Sequence, residues 1–157
     1  MLKWLWLSAL VLAADQVTKV LAAGMLELYV SIPVTPMFNL TLMHNPGAAF
    51  SFLGDAGGWQ RWFFSAIAIV VSFVLLFWIK KLTPEERWLA IALALVLGGA
   101  VGNLTDRLLY GYVIDFIDVY YQNWHWPAFN IADSAISVGV AILLIDALRP
   151  AAKSNPE

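Results

Sequence analysis

Asp115 and Asp133 are the residues whose types and settings are most able to do chemistry in this chain. Asp115 lies in VIDFIDV among large apolar residues, and Asp133 lies in FNIADSAIS at the start of a long apolar run. Two carboxyls that share a partly desolvated site resist double ionisation, so one keeps its proton. A base beside an acid is what general acid–base hydrolysis requires. If the fold brings the two residues together, they favour hydrolysis by a carboxyl pair.

Asp133 also has a structural interpretation, because Asn130 precedes it by three residues. Asn is a favourable N-cap, and an acid three residues later completes a capping box and complements the helix dipole. The sequence leaves a capping role and a catalytic role open for Asp133. Asp118, three residues after Asp115, is interpreted as a solvated turn acid.

The composition indicates that lipid surrounds most of the chain. Of the 157 residues, 61% are hydrophobic and 13% are charged, whereas soluble proteins carry about 25% charged residues. A chain this short has too much surface for its volume to hide so many apolar residues from water. The net charge of −2 gives no reason to expect nucleic acid as a partner. The absence of Cys excludes a thiol nucleophile, and two His residues exclude a His-rich metal cluster.

Four apolar runs predict four membrane-spanning helices, at residues 4–23, 62–79, 88–104 and 129–148. The second run carries no charge and would reach roughly 27 Å as a helix, close to the thickness of the hydrocarbon core. Runs this continuous differ from the alternating pattern of barrel strands. The sequence therefore predicts an all-α integral membrane protein, a four-transmembrane-helix bundle with small extracytoplasmic β and loop elements, in a single domain 1–157.

The distribution of Lys and Arg predicts that both termini lie in the cytoplasm, with residues 24–61 and 105–128 on the periplasmic side. This orientation places six of the nine basic residues inside: Lys3, Lys80, Lys81, Arg87, Arg149 and Lys153. The first run also resembles a cleavable signal peptide, although its Asp15 and Lys19 suit one poorly. Residues 24–61 contain β-formers between Pro and Gly, which predict short strands. Trp and Tyr in residues 105–128 predict a segment along the membrane surface.

Polar residues of the predicted helices gather near the outer boundary of the bilayer. Asp15 and Lys19 have the i, i+4 spacing of an ion pair that neutralises two costly charges. The outer end of the third helix carries Asn103, Asp106 and Arg107, and the GxxxG at 98–102 predicts close helix packing. A proton-coupled transporter would need polar residues in both halves of the membrane, and the inner half lacks them. If the protein were a non-catalytic assembly factor, the carboxyl group of Asp115 would have no evident role.

Five motifs, in order across nearly the whole chain, resemble the lipoprotein signal peptidases (signal peptidase II). They are DQVTK at 15–19, HNPGAAFS at 44–51, GGAVGNLTDR at 98–107, VIDFIDV at 113–119 and FNIADSAIS at 129–137. The resemblance implies a bacterial inner-membrane aspartic endopeptidase without cofactor or metal. Such enzymes cleave prolipoproteins just before a cysteine that carries diacylglycerol. Cyclic peptide antibiotics such as globomycin inhibit them.

Carried onto this sequence, the resemblance implies that Asp115 and Asp133 are the catalytic pair. The polar residues that surround substrate and pair in this family match four positions: Asn45, Asn103, Arg107 and Asn130. The family's first-helix motif, with a more structural role, matches two positions: Asp15 and Lys19. Because one bundle can supply the entire site, a monomer is expected.

Overall fold

The structure is a computed structural model that describes residues 1–47 and 57–148. Residues 48–51 of the HNPGAAFS motif lie outside the described residues, as do Arg149 and Lys153 of the charge argument. A short 3-10 turn at Leu2–Trp4 leads into the first helix. The helices are α1 Leu5–Met25, α2 Trp59–Lys81, α3 Arg87–Leu109 and α4 Ile131–Ala147. Each coincides with one predicted apolar run to within a few residues at its ends.

Three helical segments are long and apolar enough to cross a membrane: Leu2–Met25, Trp59–Lys81 and Arg87–Leu109. Helix α4 has 17 residues and is shorter than these, so the predicted number of four spans is not confirmed by length and composition. Large apolar side chains on the helices face outward, such as Phe73 at 69% exposure and Trp62 at 62%. That distribution suits a multi-pass membrane protein, whose surroundings are hydrocarbon.

Helix α3 is the central helix, in contact with α1, α2 and α4. The predicted close packing at its glycines is confirmed. A side chain at Gly99 would collide with the Ala132 carbonyl of α4. A Cβ at Gly102 would lie 2.6 Å from Asp15 Oδ2 of α1. The glycines therefore let two helices approach α3 and leave room for a buried carboxylate.

The segments between the helices form a four-stranded antiparallel sheet in the order β1-β2-β3-β4. Its strands are β1 Ser31–Thr35, β2 Phe38–Asn45, β3 Val113–Tyr121 and β4 Trp124–His125. The strands predicted within residues 24–61 are confirmed. Strand β3 was not predicted: its Trp- and Tyr-rich surroundings indicated a segment at the membrane surface. Its partner β2 lies some seventy residues away in the chain, so local patterning could not reveal the pairing.

Candidate active site

Asp115 and Asp133 lie on two elements that are joined by backbone hydrogen bonds. Asp115 is on β3 and is 2% exposed, and Asp133 is half-buried in the first turn of α4. The Phe129 N–H donates to the Ile117 carbonyl at 3.1 Å, and the Ile117 N–H donates to the Phe129 carbonyl at 2.9 Å. These two bonds fix the start of α4 against the strand, and so fix the two acids relative to each other.

Asn130 contacts both acids. As N-cap of α4, its Oδ1 accepts from the Asp133 N–H at 2.9 Å, and Asp133 Oδ2 accepts from the Asn130 N–H at 3.3 Å. The capping box that the sequence suggested is therefore present. The Asn130 side-chain amide also donates to Asp115 Oδ1 at 2.7 Å. Asn130, which is fully buried, therefore both caps α4 and links the two acids.

Two further Asn residues complete this set of contacts. Asn45, at the end of β2, donates to Asp115 Oδ2 at 3.1 Å. Asn103 of α3 donates to Asp133 Oδ1 at 2.7 Å, and its own Oδ1 accepts from the Asn130 amide at 3.2 Å. The three amides hold both carboxyl groups in one continuous hydrogen-bond network.

The environment of Asp115 favours its protonated form. Burial, and then the negative charge of Asp133, raise the pKa of Asp115 to about 7. Hydrogen bonds from Asn45 and Asn130 and the positive charge of Lys19 oppose that rise. Near neutral pH one acid of this pair can therefore hold a proton while the other serves as a base.

Lys19 is the centre of a buried charge cluster beneath the acids. Its Nζ lies 2.8 Å from Asp15 Oδ2, which confirms the predicted ion pair, and 2.8 Å from Asp106 Oδ2. It also donates to Asn103 Oδ1 at 3.0 Å, which directs the Asn103 NH2 group toward Asp133.

Asp15 and Asp106 extend the cluster to the backbone. Asp15 Oδ1 accepts from the Ala132 N–H at 2.9 Å, and Asp106 Oδ2 accepts from the Ile114 N–H at 3.0 Å. The cluster thus ties α1 and α3 to α4 and β3. Asp106 was not among the predicted site residues, although its place three residues after Asn103 puts it on nearly the same helix face.

Arg107 lies beside the site and bonds to the backbone. Its Nη1 donates to the Asn103 carbonyl at 3.2 Å and its Nη2 to the Gly47 carbonyl at 2.9 Å. The guanidinium also lies over the Phe64 ring, 5.5 Å from the centroid. Arg107 therefore ties α3 to α2 and to the chain that follows β2.

Two cavities meet at the acids. The first, of about 500 Å³, is lined by Asp133, Asn103, Arg107 and the outward face of α4. The second, of about 460 Å³, is lined by Asp115 and by side chains of the sheet. Asn45 and residues 126–128 line both. Within the described ranges, no group of three or more acidic or His side chains could hold a metal ion.

The prediction that Asp118 is a solvated turn acid is wrong. Asp118 is 2% exposed, and its Oδ2 accepts from Thr41 at 3.0 Å and from Asn39 at 3.2 Å, while Oδ1 lies 2.8 Å from His125 Nδ1. Burial acts to raise the pKa of Asp118, but the hydrogen bonds from His125, Asn39 and Thr41 lower it below its usual value. Pairing of β2 with β3 covers this acid, and a contact so distant in sequence has no local signal.

Comparison with known proteins identifies the family. The family model described as signal peptidase (SPase) II matches residues 7–149. A lipoprotein signal peptidase of Alteromonas mediterranea is 55% identical over 156 residues, covering 99% of this chain and 86% of the relative. One of Pseudomonas fluorescens is 60% identical over 147 residues, covering 92% of this chain and 86% of the relative.

The fold has solved counterparts as well. A structure described as a bacterial membrane enzyme matches with a TM-score of 0.87 at 32% identity, covering 99% of this chain and 93% of the other. A second, described in the same way, matches with a TM-score of 0.82 at 33% identity, covering 95% and 94%. These comparisons give no support to the transporter alternative. The chain belongs to the signal peptidase II family of lipoprotein signal peptidases.

Proposed function

We propose that Asp115 and Asp133 are the catalytic pair with which this peptidase cleaves prolipoproteins just before the diacylglyceryl-modified cysteine. The observation that carries the proposal is the position of Asn130. Its amide donates to Asp115 at 2.7 Å while the same residue caps the helix turn that holds Asp133. One rigid residue therefore couples two acids from separate elements.

The proposed reaction is a hydrolysis by water held between the two carboxyls. The ionised member of the pair removes a proton from the water, whose oxygen attacks the scissile carbonyl carbon. The protonated member donates a hydrogen bond to the carbonyl oxygen as negative charge develops there. The carbon–nitrogen bond then breaks as a proton passes from the pair to the leaving nitrogen. The products are a free carboxyl on the signal peptide and a free amine on the modified cysteine.

The remaining predicted site residues are proposed to hold this pair and the substrate. Asn45, Asn103 and Asn130 orient the carboxyl groups through their amides. Arg107 lines the first cavity beside Asp133, where its guanidinium is near enough to support the substrate backbone. The Asp15–Lys19 pair acts through Asn103 as a structural support. The site is proposed to use no metal and no cofactor.

We further propose that α4 is the fourth membrane span. Its 17 residues reach about 26 Å at 1.5 Å per residue, close to the hydrocarbon thickness. Its outward face carries Val138, Leu144 and Ile145, each more than half exposed. A bundle of four spans would form the single domain 1–157, with segments 24–61 and 105–128 on one side.

The proposed location is the bacterial inner membrane, with the site at the periplasmic face and both termini in the cytoplasm. Lys80, Lys81 and Arg87 cluster where α2 leads into α3, at the opposite ends of these helices from the acids. Basic residues favour the cytoplasmic side.

The proposed substrate reaches the acids from the bilayer. The first cavity includes Ile136 and Val138 of α4, so acyl chains of the modified cysteine can stay in lipid beside the helix. Cyclic peptides of the globomycin class would inhibit by occupying the same cavity. Both acids and their three amide partners come from one chain, which favours a monomer.

The proposal is tested by incubating the purified protein with a synthetic prolipoprotein peptide that carries diacylglycerol on its cysteine. Mass spectrometry should find one cut, on the amino side of that cysteine. The same peptide with an unmodified cysteine serves as the control and should be cut far more slowly. Absence of the cut with the modified peptide, or a cut elsewhere, would overturn the proposed function.

A further inference from the structure

We propose that the second cavity, the one bounded by the sheet, binds the polar residues that follow the modified cysteine, and that His125 forms a hydrogen bond with them there. This inference rests on the proposed function. It assigns to Asp118 the task of positioning His125. It places the polar chain after the cysteine in the second cavity, and the signal peptide and the acyl chains of the cysteine beside the first.

The positions of the cavities supply the first argument. Asp133 lines the first cavity and Asp115 lines the second, with Asn45 between them in both. A peptide whose scissile bond lies at the acids must leave the site in two directions. Each cavity, of about 500 and about 460 Å³, offers a path for one of those two ends.

Residues 126–128 separate the two paths and are held from both sides. The Trp126 N–H donates to the Val119 carbonyl at 2.8 Å, and the Phe129 N–H donates to the Ile117 carbonyl at 3.1 Å. Because both ends of this segment are tied to β3, its position in the wall of both cavities is fixed.

The walls of the two cavities differ in chemistry. The first is polar at the acids, where Asn103, Arg107 and Asp133 line it, and includes Ile136 and Val138 farther along α4. The second includes hydroxyl, imidazole and carboxyl groups from the strands, among them Ser31, Thr41 and His125. A signal peptide is apolar and belongs in the membrane, whereas the chain after the cysteine is polar and enters water. The second cavity, with polar groups from three strands, therefore suits the part that follows the cleavage point.

His125 can form a hydrogen bond in that cavity. Its side chain is half exposed, and its Nδ1 lies 2.8 Å from Asp118 Oδ1. A carboxylate accepts only, so Nδ1 carries the proton and donates to Asp118. The ring also stacks on Tyr120, with centroids 5.3 Å apart. These two contacts orient the ring, so Nε2 can form a hydrogen bond with a backbone or hydroxyl group of the bound chain.

Asp118 is itself held rigidly, which suits a positioning residue. Thr41 and Asn39 donate to its Oδ2, and the Thr41 hydroxyl lies 2.8 Å from the Ser31 hydroxyl. These contacts join β1, β2 and β3 behind His125. Asp118 lines the same cavity but is 2% exposed, so it acts mainly through the imidazole.

The experiment compares two diacylglyceryl-modified peptides with the same signal sequence. One ends as an amide at the cysteine, and the other continues with several polar residues. We expect His125→Ala to raise KM for the extended peptide roughly 3- to 10-fold, the value of one hydrogen bond. KM for the short peptide and kcat for both should change little. Asp118→Asn should give the same pattern, and His125→Gln should recover part of the loss.

Tyr121→Ala is the matched control, since Tyr121 lies on β3, is 59% exposed and does not line the second cavity. Its KM for both peptides should equal that of the unaltered enzyme. The two KM values are compared within one variant, so a partial loss of folded protein affects both measurements equally. Equal changes for both peptides, or no change for either, would overturn the cavity assignment and leave the proposed function standing. If the unaltered enzyme cut neither peptide, the proposed function would fail, and this assignment with it.

Discussion

Asp115 and Asp118 lie three residues apart on strand β3, yet the pKa values of their carboxyl groups are shifted in opposite directions. Asp115 and Asp118 are both 2% exposed. The pKa of Asp115 is raised to about 7, while the pKa of Asp118 is lowered. Burial acts to raise the pKa of both acids and is the largest cause of the rise at Asp115, but at Asp118 the hydrogen bonds outweigh it.

The neighbours of the two acids contribute to the difference, beside the strong effect of burial at Asp115. Asp118 has three hydrogen-bond partners, in Asn39, Thr41 and His125. Asp115 has two amide partners and also the negative charge of Asp133. Burial and a nearby negative charge together raise the pKa of Asp115, whereas three hydrogen-bond donors outweigh burial at Asp118 and keep it ionised.

The largest effect is expected from removing one acid at a time. Asp115→Asn keeps the shape of the side chain but cannot exchange a proton, so kcat/KM should fall by roughly 10³-fold or more. Asp118→Asn should cost no more than about tenfold, and that cost should lie in KM. Cleavage of the extended peptide by the two variants is the measurement. Comparable losses of kcat in both would remove the distinction between the acids.

Removal of Lys19 should have the next largest effect. Lys19→Met would leave Asp15 and Asp106 buried without their cation, which costs about 3 kcal/mol or more of stability. It would also release Asn103, which Lys19 orients toward Asp133. Thermal unfolding in detergent measures the first consequence, and kcat of the folded fraction measures the second. A variant with unchanged stability and kcat would contradict the role given to the cluster.

The pH dependence of cleavage should follow the raised pKa of Asp115. As pH rises through about 7, Asp115 loses its proton and the pair loses its acid. The ratio kcat/KM should then fall about tenfold per pH unit on the alkaline side. Asp118→Asn should leave that midpoint in place, since Asp118 is ionised throughout this range. If Asp118→Asn shifted the alkaline limb of the kcat/KM profile and substitution of Asp115 or Asp133 did not, the roles given to Asp115 and Asp118 would be contradicted.

A smaller effect should distinguish the amides that serve the two acids. Asn45 donates to Asp115, and Asn39 donates to Asp118. Asn45→Ala removes a donor that favours the ionised form, so the alkaline midpoint should rise by about half a unit, the scale of one modest hydrogen bond. Asn39→Ala should not move it. A downward shift with Asn45→Ala would contradict the direction argued for this contact.

The helices could be predicted from the sequence because apolar runs bounded by charge are local signals. The Asp15–Lys19 pair and the Asn130–Asp133 capping box are local too, since each joins residues one helical turn apart. The environment of Asp118 could not be predicted, because Asn39 and Thr41 meet it only after β2 and β3 pair. The sequence places Asp106 at the depth of the site but does not reveal its contact with Lys19, which is on another helix. The roles of the site residues remain predictions that the experiments above address.

The claim that Asp115 and Asp133 share one proton is tested most directly by infrared spectroscopy of the protonated carboxyl group. A band of protonated carboxyl should disappear with a midpoint near pH 7 in the unaltered enzyme. In Asp133→Asn the midpoint should fall, because the negative charge that helps raise the pKa of Asp115 is gone. An unchanged midpoint in Asp133→Asn would show that the two acids do not interact, and would contradict the account.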